Sequence, residues 1–563
     1  MMKILIVSLL ICSAMTEFTS VNEIEGSDVF ILEIQEKFNN IDNYFNNVKQ
    51  NSFLGETLSV DKIERLLTES NVRLDIFSDI IGDVPNSCKN REKSGGIADF
   101  YYFAPNLKAL VKPEANKVTF ETDCFKKGSF EIVAINETSV DLVLELTEST
   151  SLTCSEIFLI TTARIQEPTQ VFFSGKHKYT LKNLTKNDIS DLKVNGVRLL
   201  GFCQGIVKSL ESIYMTAKLY LGGFSTKHPH VTDYMEKSNI EFLKNFVGFD
   251  LKHRAEAVSK SILNIDKKDI KTGDFVAITR LDGLDQLIDM GTGSSIGHTA
   301  IAAWIDGDLY VLESQDGWYW PRHGIQRNQW DQWVQWAHAA DFHVEIVPLK
   351  EEFRQLLNAE DAINWFKSKE GLNYGYHNFL FGWLDTRKNL PSFIDFEIFL
   401  PMFAIWNKVN NASFDKMLCQ ALNHRMGTKG LNYYEVVALA AEKGIAFEDL
   451  VGIVEKQGWE YDDGENYVCS AFCTGFYKAG GLFPGMEINA TEFGPKDVYQ
   501  LEIFDQAPTR PQICIDADPN GHYCQVMGKY GLQYKGLGTI KRYSNMNERC
   551  DSQSPDYIRN DGC

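Results

Sequence analysis

At 563 residues the chain exceeds the roughly 250 to 300 residues at which a single core stops growing, so at least two domains are expected. Its 44% hydrophobic and 23% charged residues exclude a disordered or fibrous protein. Set against 56 basic side chains, 76 acidic ones leave a formal charge of -20, which repels phosphate backbones; with no basic stripe to offset it, nucleic acid is not an expected partner.

The N-terminus reads as an address. Lys3 precedes an apolar run from Ile4 to Cys12, followed by the small residues Ser13 and Ala14. A run of about ten is too short to span a bilayer and fits a cleaved secretory signal, assigned to 1–20. No later stretch reaches about 18 uninterrupted apolar residues, so no transmembrane segment is expected. The expected location is secreted, or lysosomal or vacuolar by the secretory route.

Cysteine usage points the same way. Twelve cysteines, less Cys12 in the signal, leave an odd eleven. One free catalytic thiol leaves the others for disulfides in an oxidising compartment. The candidates are Cys88, Cys124, Cys154, Cys203, Cys419, Cys473, Cys514, Cys524, Cys550 and Cys563. Glycosylation sequons stand at Asn136, Asn183, Asn411 and Asn489.

All ten tryptophans fall between Trp304 and Trp459, which divides the chain. In the first half, amphipathic helices near 34–49 and 60–68 precede β-type runs at Val118–Glu121, Phe130–Ile135, Val140–Leu146 and Ile157–Ala163. Residues 21–230 are read as a β-rich α+β module without a constellation for chemistry. A helical connector at 231–270, with its helix over Ile240–Leu263, leads to a second domain at 271–505. A Cys-rich, loop-like tail, 506–563, wraps that domain. The fold class is α+β.

The second domain opens with a turn at Gly273-Asp274 and a buried strand from Phe275. The runs Gly297–Ile305 and Leu309–Glu313 flank Asp306-Gly307, the strongest hairpin signal in the chain. A two-residue turn there sets Ala300 opposite Glu313 and His298 opposite Gln315. Glu313 is then the diagonal neighbour of His298, about 7 to 8 Å away and within side-chain reach. A carboxylate so placed fixes the imidazole tautomer and supports the imidazolium. Helical patterns follow at 328–338, 359–369 and 433–443.

Cys469, Phe472, Cys473 and Phe476 recur at helical spacing, with Gly480-Gly481 closing the helix. A cysteine in a first helical turn meets free backbone N–H groups and the positive dipole end, which favour a thiolate. Asp462, Asp463 and Glu465, just upstream, oppose it. The alternative on helix position alone is a buried or disulfide-bonded Cys469.

Together, Gly273-Asp274, Gly297-His298, Glu313 and Tyr467-Val468-Cys469-Ser470 resemble the circularly permuted papain-fold cysteine hydrolases. These are the permuted NlpC-type branch, related to the lecithin:retinol acyltransferases. The resemblance covers about 271–505 and implies a papain-like domain with Cys469 as nucleophile, His298 as base and Glu313 as third member. Asn373-Tyr374-Gly375 resembles the family's Gly-x-x-Tyr segment, with Gly375 where an aspartate usually follows. Gln315, Trp318, Tyr374 and Tyr467 are the substrate-binding candidates, and Trp320 shares the stretch after the hairpin. Trp330, Trp333 and Trp336 are read as core.

Two rival motifs fail on context. Gly293–Gly297 fits G-x-S-x-G with Ser295, but a nucleophile elbow needs a strand before it and a helix after it. His228-Pro229-His230 and Cys469-x-x-x-Cys473 lack partners at zinc spacing, so neither metal nor cofactor is expected. The leading expectation is hydrolysis of a peptide or amide bond through an acyl-thioenzyme. A lipid-ester hydrolase or acyltransferase with the same Cys-His pair is the alternative enzyme, and an inactive extracellular binding protein the non-enzyme alternative.

Overall fold

The computed structural model describes residues 106–202 (apart from 123, 150–155 and 163–165), 233–315, 322–378 and 411–546 (apart from 463 and 466), with isolated positions 231, 381, 407, 557 and 558. The signal segment, the helices expected near 34–49 and 60–68, His228, His230 and Cys88, Cys154, Cys203, Cys550 and Cys563 lie outside them. The protein is α+β. Two compact units divide the described residues. One takes 106–202 with 411–454, and the other takes 231–381 with 455–558. The expected continuous domain over 271–505 is therefore interrupted, and the tail beyond 506 belongs to the second unit.

In the first unit, alternation is the organising signal. The strands are β1 (Asn106–Val111), β2 (Lys117–Phe120), β3 (Phe125–Ile135), β4 (Val140–Ser149), β5 (Glu156–Thr161), β6 (Gln166–Val171), β7 (Gly175–Leu181) and β8 (Val197–Phe202). They form two antiparallel four-stranded sheets, ordered β1-β8-β5-β6 and β2-β3-β4-β7. Along β4, Val140, Leu142, Leu144 and Leu146 are buried while the intervening residues are half-exposed, as period two requires. Those residues share a core with Phe130, Phe158 and Leu199. The helix α1 (Lys186–Asn195) starts at a capping box in which Thr185 and Asp188 exchange hydrogen bonds. Asn136, Asn183 and Asn411 are exposed, as glycan acceptors must be. The segment 411–454 of this unit is helical, including Tyr433–Glu442 at the expected place.

The second unit is built on one six-stranded antiparallel sheet. Its elements are β9 (Phe275–Thr279), α2 (Leu284–Thr292), β10 (His298–Ile305), β11 (Asp308–Gln315), β12 (Gly324–Gln329), α3 (Trp330–Ala339), β13 (His343–Val347), α4 (Ala359–Lys369), α5 (Cys469–Ala479), α6 (Pro495–Tyr499) and β14 (Cys524–Met527). The spatial order is β12-β11-β10-β9-β13-β14. Near-continuous apolar runs such as Phe275–Ile278 are buried on both faces of the sheet. Phe275, Ile301, Leu312 and Val347 join Ala471, Phe472 and Phe476 of α5 in one core. No described helix is long and apolar enough to cross a membrane.

Two expectations need correcting here. The tail does more than wrap the domain, because β14 completes the sheet against β13 and is pinned by the Cys514–Cys524 disulfide. Arg254 reinforces that join, donating to the carbonyls of Gln525 and Gly528. The connector helix runs over Asp233–Phe242 and a π turn to Val247, ending at Gly248 in the left-handed region, well short of Leu263.

Glu345, on β13 beside this tail, is 5% exposed, and burial lifts its carboxyl to about 7. Asp289 shifts the same way, also through burial first and then through Asp285 and Asp282. An unfolded glutamate titrates near about 4.3, so the stability Glu345 contributes is full below that pH and is lost as pH rises through about 7. Glu345→Gln should flatten this slope by roughly 2 to 3 kcal/mol between pH 5 and 8, measured from denaturant midpoints at each pH. A variant with the wild-type slope would exclude Glu345 as its source.

Candidate active site

The hairpin carries the first half of the site. Asp306 (φ 53°) and Gly307 (φ 91°) both adopt the left-handed conformation that a two-residue turn demands. Ile305 pairs with Asp308 and Ile301 with Leu312, the register read from the sequence. His298 opens β10, and its Nε2 lies 3.1 Å from Glu313 Oε2. Both side chains are buried. The other carboxylate oxygen, Oε1, accepts from Asn328 Nδ2 at 3.2 Å and from Trp333 Nε1 at 3.0 Å. Glu313 is thus held from β10, β12 and α3 at once.

The second half is the start of α5. Its N-cap residue is Val468 (φ −71°, ψ 170°), whose apolar side chain makes no capping bond. Cys469 stands in the first helical position, close enough to His298 to support the charge on its ring. Burial pushes the imidazolium down, but the bonds to Cys469 and Glu313 outweigh it and hold the His298 pKa well above the usual histidine value. One turn on, Cys473 donates to Thr299 Oγ1 at 3.5 Å and anchors the helix to β10.

The backbone before Cys469 is fixed by three contacts. The Tyr467 carbonyl accepts from Ser314 Oγ at 2.7 Å and from the Gly375 N–H at 3.1 Å. The Val468 N–H donates to Asn378 Oδ1 at 3.0 Å. A Cβ on Gly375 would stand 2.5 Å from the Tyr467 backbone and 2.7 Å from Val468 N, so no side chain fits there. This explains why no aspartate follows Tyr374. Of the upstream acids, Glu465 is tied to Lys369 and to the Tyr467 hydroxyl.

A narrow cleft is lined among others by Ile288, Tyr374, Asn378, Cys469, Thr491 and Phe493. Its far wall is self-supporting. Asn489 Nδ2 donates to the Glu455 carbonyl at 2.6 Å, and Asn489 Oδ1 accepts from Gln457 N at 3.0 Å and lies 2.8 Å from Thr491 Oγ. The sequon at Asn489 is committed to these bonds, and a glycan there would compete with them.

Of the expected site residues, Cys469, His298 and Glu313 come together and Tyr374 lines the cleft. Tyr467 does not; its ring packs edge-on to Trp365 in the core. Gln315 is buried outside the cleft lining. Trp318 and Trp320 lie outside the described residues. Cys419 and Cys473, expected in disulfides, are free buried thiols, whereas Cys124, Cys514 and Cys524 are disulfide-bonded. Ser295 follows a helix and precedes a strand, the reverse of an elbow. Among the described residues no group of three or more His, Cys, Asp or Glu side chains is placed to hold a metal ion. No protein-family profile, curated protein or solved structure matches the chain.

Glu313→Gln removes one of the contacts that raise the His298 pKa. The imidazolium should then lose its proton at lower pH, and the alkaline limb of the activity profile should move down with it. A limb that stays in place in the variant would deny Glu313 this part.

Proposed function

We propose that this protein is a cysteine hydrolase of the permuted papain type that cleaves an amide or peptide bond through an acyl-thioenzyme. The observation that carries the reading is the set Cys469, His298 and Glu313, brought together from a helix start and two neighbouring strands, with Cys469 lining a cleft. Support comes also from the buried second contacts of Glu313, which a solvent-facing structural carboxylate has no need of.

In this scheme the thiol proton passes to His298 and the sulfur attacks the carbonyl carbon. The oxyanion meets backbone N–H groups at the start of α5. As the C–N bond breaks, His298 returns the proton to the leaving amine. Water then attacks the thioester, giving its proton to His298, and the acid leaves as the sulfur regains it. A secretory, lysosomal or vacuolar location fits this reading and is supported by the disulfides at Cys124 and Cys514–Cys524.

Cys469→Ala and His298→Ala should each abolish turnover of amide substrates, with loss of at least about 1,000-fold. Thiol alkylation of the unreduced protein, mapped by mass spectrometry, should mark Cys469 first. Burial pushes the Cys419 thiol up to about 12 and the Cys473 thiol well above its usual value, so both should stay unlabelled. Wild-type turnover in the Cys469→Ala protein would remove the thiol from the reaction.

A further inference from the structure

The helix that carries Cys469 has an N-cap without an acceptor, and the acceptor comes from elsewhere in the chain. Asn378, 2% exposed, takes the Val468 N–H on its Oδ1 at 3.0 Å. Its Nδ2 donates to the Thr491 carbonyl at 2.6 Å. Val468 and Thr491 stand on the two lips of the cleft, and Asn378 itself lines the space between them. One amide therefore joins the nucleophile lip to the far wall. The wall is in turn tied back to α5 by Lys478, which donates to Gln457 and to the Ile488 carbonyl.

We infer that Asn378 is the positioning residue for oxyanion stabilisation: it satisfies the Val468 N–H and holds the lips at a fixed width, so that the Cys469 N–H is the first helix donor presented to the substrate carbonyl. This deepens the cysteine-hydrolase reading and rests on it. The geometry separates two properties of the site. Attack on a carbonyl builds an oxyanion and needs that donor, whereas alkylation of sulfur by iodoacetamide builds none. The reactivity of Cys469 toward iodoacetamide depends on His298 and Glu313, which Asn378 does not contact in any hydrogen bond described above.

The test compares two reactions of the full chain. Asn378→Leu, close in volume but without polar atoms, should slow acylation of Cys469 by 4-nitrophenyl acetate by about 100-fold or more, in the range seen when one oxyanion donor is lost, while iodoacetamide alkylation changes by less than about threefold. Asn378→Asp keeps the acceptor and regains a donor only when protonated. Its acylation rate relative to wild type should therefore rise as pH is lowered, which a merely structural role would not produce. If the leucine variant fails to fold, the aspartate variant carries the test alone. Equal losses in both reactions, undiminished acylation, or an aspartate variant with no relative gain at low pH would each overturn the inference. A wild-type protein whose Cys469 alkylates but never acylates would instead remove the hydrolase reading, and the inference with it.

Discussion

The arrangement depends on how a buried carboxylate is satisfied. Glu313 is 2% exposed, and an ionised carboxyl at that depth is stable only with donors on its oxygens. Asn328 and Trp333 occupy Oε1, leaving Oε2 to His298. That division has a directional consequence. The histidine cannot turn away without stranding a charge, so the ring is held in place beside the start of α5. The hairpin, the next strand and the following helix are thus parts of one device for fixing an imidazole.

The start of the Cys469 helix is handled by the opposite means. Val468 leaves the helix N-terminus uncapped by its own side chain, and the unsatisfied donors of a first turn are the groups an oxyanion can use. The cost of leaving them is limited by bringing in Asn378 for one donor and by packing the Tyr467 carbonyl against Ser314 and Gly375. Gly375 makes that packing possible, since any side chain would strike the backbone directly before the cysteine. A residue that departs from the related motif is here required by contact.

The parts of the site legible in the sequence are those set by local rules. Asp306-Gly307 specified a turn, the turn specified a register, and the register brought Glu313 within reach of His298. Helical spacing likewise found α5 and its buried face. Residues supplied over long separations escaped. Asn378 meets Val468 across 90 positions and Thr491 across 113, and no periodicity connects them. Trp333 was read as core, and it is buried, but a buried indole N–H needs an acceptor. Following that need would have led to Glu313. Asn328 was assigned to a helix that begins two residues later, at Trp330, and so its place on β12 opposite Val311 was missed. The free Cys419 and Cys473 show the limit of counting: an odd total says that a thiol is unpaired, not how many are.

Charge burial also sets the conditions under which this unit is best held together. Glu345 and Asp289 are both pushed toward the neutral form by burial, and each contributes more stability in acid than at alkaline pH. His343, also on β13, runs the other way: burial pushes its imidazole down to about 4, so the stability it contributes is lost as pH falls. His298 acts in the same sense as the two carboxyls: burial disfavours its charge, but Cys469 and Glu313 support it and keep it an imidazolium well above the usual histidine range. The buried groups of this unit thus pull its stability in opposite directions with pH, while the imidazolium of His298 persists above the pH at which an ordinary histidine discharges. All of these shifts share one physical cause with the site itself: ionisable groups that the fold has removed from water.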